Sequence, residues 1–192
     1  MAGKQAKILN EEDISALVRT TRKSRYPSRD KVIVLLSVKA GLRASEIAML
    51  TWDMVLTPSG EISGTIELLD AAAKKRTGRT IPIHPDLRSA LTRLRRITDV
   101  LSGPVVRSER GGQMTAISIV NWFAIKYREL SLKGCSSHSG RRTFVTRAAR
   151  LVHQAGGSLR DVQLLAGHRS IQTTQRYIDG DTDAQRRLVS LI

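Results

Sequence analysis

Apolar residues recur at helical spacing along most of this chain of 192 residues, and the spacing breaks in one place, between Trp52 and Pro82. That break reads as a small sheet inserted into a helical chain, not as a repeating strand-helix-strand unit. Ahead of it, Asn10 followed by Glu11, Glu12 and Asp13 forms an N-cap with an acidic first turn, and Ile14, Leu17 and Val18 supply an apolar stripe. Tyr26-Pro27-Ser28 ends this helix. A second runs from about Arg29 to Ala40, carries Val32, Ile33, Leu35, Leu36 and Val38, and stops at Gly41 in the C′ role. A short third helix covers Ala44 to Leu50.

Within the break the segments MVL, GTIELL and RTIPI, separated by the turn-rich TPSGE and AAAKKRTG, predict three short antiparallel strands. Helical spacing returns from Asp86 with Leu87, Leu91 and Leu94. It continues behind a Thr115 cap with Ile117, Val120, Phe123, Ala124 and Tyr127. Three shorter helices are expected over His138 to His153, Ser158 to Gly167 and Ser170 to Ile178. The expected fold is therefore mainly α with a small three-stranded antiparallel β-sheet, an α+β domain spanning residues 1–192. Residues 1–9 read as a flexible basic lead-in. Residues 181–192 read as an amphipathic tail whose Leu188, Val189, Leu191 and Ile192 offer a face for exchange between protomers.

Composition narrows the function. With 41% hydrophobic and 26% charged residues, and no apolar run near the roughly 20 residues that span a bilayer, the chain fits neither a disordered tail nor a membrane protein. The single cysteine, Cys135, and four scattered histidines offer no disulfide framework and no zinc-finger array, which suits a reducing cytoplasm. The start, MAGKQAKILNEED, lacks the apolar region of a secretory signal. Lysine and arginine total 32 against 17 acidic residues, a formal charge of +15. The isoelectric point lies near 11.0, in the range of nucleic-acid binders. Aromatic residues are only 4%, too few for stacking on unpaired bases, so duplex DNA held through its phosphates is the expected partner.

Three islands carry the chemistry: GLRASEIAMLTW at 41–52, HSGRR at 138–142 and LAGHRSIQTTQRYID at 165–179, with Lys74, Lys75, Arg76 and Arg79 in a hairpin turn between the first two. Together they resemble the tyrosine recombinase (phage integrase) family. Its pattern is an Arg in GLR-x-x-E, a Lys in a β-turn, His-x-x-Arg, then Gly-His and a Tyr nine residues later. Arg43, Lys74, His138, Arg141, His168 and Tyr177 fill those positions in order. The resemblance implies the family's catalytic-domain fold over about residues 8–180 and a site-specific DNA recombinase of integrase or invertase type. Such an enzyme cleaves and rejoins duplex DNA through a 3′-phosphotyrosyl intermediate, without cofactor, metal or ATP. It further implies a prokaryotic or phage-encoded protein that works as a dimer to tetramer on DNA. The N-terminal core-binding domain of most members finds no room here, so accessory DNA-binding proteins or oligomerisation would compensate.

The residue types suit that chemistry. Attack on a phosphodiester builds charge on its non-bridging oxygens, and the guanidiniums of Arg43 and Arg141 can clamp them with charge-assisted hydrogen bonds, in the role a metal would otherwise take. A phenol ionises near pH 10, so Tyr177 needs a positive field or a base, and His138 can accept its proton. If a helix starts near His138, positions 138 and 141 share one face. His168 would add a phosphate donor. An ammonium on a hairpin tip is a sensible general acid for the leaving 5′ oxygen; the family's lysine falls at Lys74, and the sequence leaves Lys75 open. Glu46 would orient Arg43, and Lys75, Arg76, Arg79 and Arg142 would contact DNA. Two competing classes are a non-catalytic DNA-binding regulator on the same fold, which would not need the six residues intact, and a type IB topoisomerase, which the GLR-x-x-E and LAGH segments do not favour. Cys135 is assigned no role.

Overall fold

The computed structural model describes residues 5–69, 78–99, 102–177, 189–190 and 192. The chain divides into two compact units between Phe144 and Val145.

In the first unit, α1 (Glu11–Thr21) opens with a reciprocal capping box: the Asp13 amide donates to the Asn10 side chain at 2.7 Å, and the Asn10 amide donates to the Asp13 carboxylate at 3.0 Å. Pro27 starts α2 (Pro27–Lys39) in the first-turn position where its missing N–H costs nothing, so the proline begins this helix as well as following the previous one. Every residue from Val32 to Val38 is buried, which makes α2 the axis of the unit. It packs against α1, against α3 (Ala44–Met49) and against α4 (Pro85–Thr98). Truncating the fully buried Leu36 to Ala would cost about 2–5 kcal/mol. His84 caps α4, its Nδ1 accepting from the Asp86 amide at 3.1 Å.

The sheet among the described residues has two strands, not the expected three. β1 (Thr65–Leu68) pairs antiparallel with β2 (Arg79–Pro82), in the register Thr65 opposite Pro82 and Leu68 opposite Arg79. The MVL segment forms no ladder. Trp52–Met54 is one 3₁₀ turn anchored by the buried Trp52, and the Val55 amide donates to the Trp52 carbonyl at 2.9 Å. Leu56 then meets Ile62 in an isolated bridge. The chain reverses too soon for more: Pro58 and Gly60, the latter at φ 82°, close a turn in which the Gly60 amide donates to Thr57 at 2.8 Å.

Helix α5 (Ala116–Glu129) has its Thr115 cap where expected, the Thr115 hydroxyl accepting from the Ser118 amide, but it buries a neighbouring stripe. Ile119, Phe123 and Tyr127 face α3 and α1, while Ile117 is 73% and Val120 40% exposed, and Ala124 is exposed too. The helix is apolar on more than one face, so periodicity alone could not choose between them.

Within the basic lead-in, residues 6–9 pack on the unit that follows them. Leu9 is buried, and its amide donates to Thr143 Oγ1 at 2.8 Å; the Lys7 amide donates to the Gly134 carbonyl at 3.1 Å. Residues 6–9 are thus fastened to the start of α6 (Ser139–Leu151) and the loop before it. Gly140 lets α6 approach α2: a Cβ there would collide with Ser37 Oγ and sit 3.0 Å from Val38 Cγ1.

The second unit holds the later part of α6, then α7 (Leu159–Ala166) and α8 (Ile171–Gln175), which pack on each other. Ser158 donates its amide and its hydroxyl to the Asp161 carboxylate, at 2.7 and 2.9 Å, closing the N-terminus of α7. Those bonds, the backbone one first, hold the exposed Asp161 carboxyl below its ordinary range. Gly167 ends the helix in the left-handed region at φ 62°. Residues 178–188 and 191, most of the expected tail, lie outside the described residues.

Candidate active site

In the first unit three of the candidate residues, Arg43, Arg79 and Arg141, gather around the carboxylate of Glu46. Gly41 follows α2 at φ 65°, the Leu42 amide returns to the Leu36 carbonyl at 3.0 Å, and the chain then enters α3 with Arg43 as its N-cap residue. Glu46 lies one turn in, fully buried. Its Oε1 accepts from Arg43 NH1 at 2.7 Å and from Arg79 NH1 at 3.0 Å; its Oε2 accepts from the Arg43 amide at 2.9 Å and from Arg79 NH2 at 3.0 Å. All four acceptor sites of the carboxylate are thereby used. Arg141 NH1 stands 4.0 Å from Oε2 and donates to the Gly41 carbonyl at 2.7 Å. Burial alone would push the Glu46 carboxyl up, but the hydrogen bonds and charge of Arg79, with those of Arg43, outweigh it and bring it down to about 2.

One carboxylate thus faces three guanidiniums, and the cluster keeps a positive excess. The side chain of Arg43 is 22% exposed against 5% for Arg141, so Arg43 presents the more open edge. Glu46 accepts a hydrogen bond from the Arg43 side chain at 2.7 Å. Arg79 begins β2, at the head of the expected RTIPI strand; its side chain is 6% exposed and its fork meets Glu46. Nothing in sequence ties position 79 to position 46. Lys74, Lys75 and Arg76 lie outside the described residues.

His138 immediately precedes α6, and its carbonyl accepts from the Arg142 amide at 2.8 Å. Its ring is exposed, with Nδ1 3.4 Å from Ser137 Oγ. The shared helical face expected for positions 138 and 141 follows from this helix start. Arg142 NH1 donates to the Ala6 carbonyl at 2.6 Å, fastening the lead-in. Burial pushes the Cys135 thiol up, the direction of an inert thiol and not of a nucleophile.

In the second unit His168 follows the Gly167 turn. Its amide donates to the Gln163 carbonyl at 3.1 Å, and its own carbonyl accepts from Gln163 Nε2 at 2.8 Å. Its Nδ1 lies 3.0 Å from the hydroxyl of the buried Thr174. The Tyr177 ring stacks on the imidazole, with the centroids 5.6 Å apart and the planes 21° from parallel. Of the chain's three tyrosines, Tyr127 is 3% exposed with its phenol pushed up by burial, and Tyr26 lies under the guanidiniums of Arg25 and Arg29. Tyr177 is half-buried and sits beside a histidine. Among the described residues no group of three His, Cys, Asp or Glu side chains could hold a metal ion, and no helix is long and apolar enough to cross a membrane.

The phage integrase family model matches residues 7–183, nearly the whole chain. The chain belongs to the phage integrase family. It is 32% identical over 174 residues to tyrosine recombinase XerA of Pyrococcus furiosus, covering 89% of this chain and 56% of that protein. It is 30% identical over 181 residues to tyrosine recombinase XerD of Pseudomonas putida, again 89% and 56%. This phage integrase chain therefore spans just over half the length of these relatives. Its fold is that of the XerH site-specific recombinase in a post-cleavage complex with a palindromic difH substrate, with a TM-score of 0.74 at 19% identity over 99% of this chain and 54% of that one.

Proposed function

We propose that this chain carries the strand-cleaving and rejoining activity of a site-specific recombinase acting on duplex DNA. Arg43 and Arg141 hold the non-bridging oxygens of the scissile phosphate, and His168 donates a further hydrogen bond. The Tyr177 oxygen attacks phosphorus as His138 takes the phenol proton. A phosphorus–oxygen bond forms to tyrosine, the bond to the 5′ oxygen breaks, and Lys74 protonates the departing oxygen. The 3′-phosphotyrosyl ester keeps the energy of the original linkage, so a second strand's 5′ hydroxyl reseals it without ATP. The guanidiniums supply the positive charge that the transition state needs, and the chemistry calls on no metal or cofactor. Lys75, Arg76 and Arg142 steer the backbone of the duplex, and a dimer or tetramer assembles on it.

The observation that carries this is the presence of all six reacting side chains, in order, inside a family match over residues 7–183. Incubation with nicked duplex DNA is the test. An SDS-resistant adduct, followed by joined half-sites, is expected. No adduct would make the chain a binder only, and relaxation of a supercoiled plasmid without joined half-sites would make it a topoisomerase.

A further inference from the structure

We infer that Arg79 is a positioning residue for the cleavage reaction, acting through Glu46 to set the orientation of Arg43. The inference rests on the function proposed above and adds a residue to it. The geometry is unusually constrained. A planar fork meets a planar carboxylate with two bonds of 3.0 Å, in a place where the carboxylate is fully buried and the arginine side chain 6% exposed. The same two oxygens receive the backbone amide and the guanidinium of Arg43, at 2.9 and 2.7 Å. The Arg43 guanidinium therefore turns only by breaking its bond to a carboxylate that Arg79 holds in place through two further bonds.

The sheet extends this tie. Arg79 is the first residue of β2, directly after the segment that carries Lys74, and is paired with Leu68 of β1. One ion pair thus anchors the strand that follows the Lys74 segment to the helix that begins at Arg43. A buried salt bridge is weak evidence for net stability, because desolvating both charges offsets much of their attraction. Its value here is orientation: Lys at position 79 would keep the charge and lose the fork.

The groups facing Glu46 are Arg43 from the start of α3, Arg79 from β2 and Arg141 from α6. Removing Arg79 leaves burial opposed by fewer partners, so the Glu46 carboxyl rises. The rate deficit of an Arg79 variant relative to the parent should then deepen on the acid side of the pH profile of cleavage.

The test measures single-turnover adduct formation on nicked duplex DNA between pH 5 and 8, with DNA affinity and thermal midpoint measured in parallel. The parent is compared with Arg79→Lys, Arg79→Met, Glu46→Gln and the Glu46→Gln/Arg79→Met double variant. Expected are a tenfold or greater loss of rate in Arg79→Met and a smaller loss in Arg79→Lys, with affinity held within about threefold and the deficit deepening as pH falls. The Arg79→Met loss should shrink to within twofold in the Glu46→Gln background. Where Arg79→Met does not fold, Arg79→Lys carries the same comparison. Parental rate and pH profile in either Arg79 variant would overturn the inference while leaving the proposed function standing, as would a full, additive loss in the Glu46→Gln background. A parent that forms no adduct would instead overturn the proposed function, and the role of Arg79 with it.

Discussion

The imidazole of His168 and the phenol ring of Tyr177 lie nearly parallel, with centroids 5.6 Å apart, and the histidine's Nδ1 lies 3.0 Å from Thr174 Oγ1. The buried Thr174 thus holds a histidine that stacks on the proposed nucleophile, Tyr177. Thr174→Val keeps the shape and removes the hydroxyl. The expected result is a loss of about tenfold to a hundredfold in adduct formation with unchanged DNA affinity, read by quenched single-turnover assays and by titration of labelled duplex.

Gly41 holds two features at once: a left-handed backbone at φ 65°, and a carbonyl that accepts from Arg141 at 2.7 Å. A Cβ there would run into the Phe144 ring. Gly41→Ala should cost about 2–4 kcal/mol, summing backbone strain with overpacking. Urea unfolding followed by circular dichroism measures it, and a loss below 0.5 kcal/mol would contradict the packing described.

Glu46 makes stability depend on pH in a defined window. Its folded carboxyl is brought down from an ordinary 4.5 to about 2, so its contribution is complete above pH 4.5 and lost as pH falls through 2. That difference corresponds to on the order of 3 kcal/mol. The parent should therefore lose stability more steeply than Glu46→Gln between pH 4.5 and 2. Parallel curves for the two proteins would show that the carboxylate is not held by its arginines.

With a formal charge of +15, DNA affinity should fall steeply and linearly on a logarithmic plot against salt. Fluorescence anisotropy on a duplex between 50 and 300 mM salt reads the slope directly, and a flat response would remove phosphate contact as the main source of binding.

How far the sequence predicted the molecule can be judged at particular residues. Asn10, Thr115 and Gly167 announced helix ends because capping is a local hydrogen-bond problem with few solutions, and all three lie where those solutions require. On α5 the expected Phe123 and Tyr127 are buried but Ile117 and Val120 are not, because these two are as apolar as the buried Ile119 and only the helices opposite decide which stripe is covered. The MVL strand was overcalled because local β-propensity does not register how soon the Pro58–Gly60 turn reverses the chain. The six residues proposed to react stand out in the sequence through spacing and motif, although Lys74 lies outside the described residues. The role of Arg79 does not, because it depends on a carboxylate 33 positions away that only the folded chain brings near.

Peptide mapping of the protein–DNA adduct tests the central claim most directly. After capture on nicked duplex and digestion with trypsin and nuclease, mass spectrometry should find the nucleotide on the peptide containing Tyr177, attached through a 3′ phosphate, and no adduct should form with Tyr177→Phe. A nucleotide on any other residue, a 5′ linkage, or an undiminished adduct in Tyr177→Phe would contradict it.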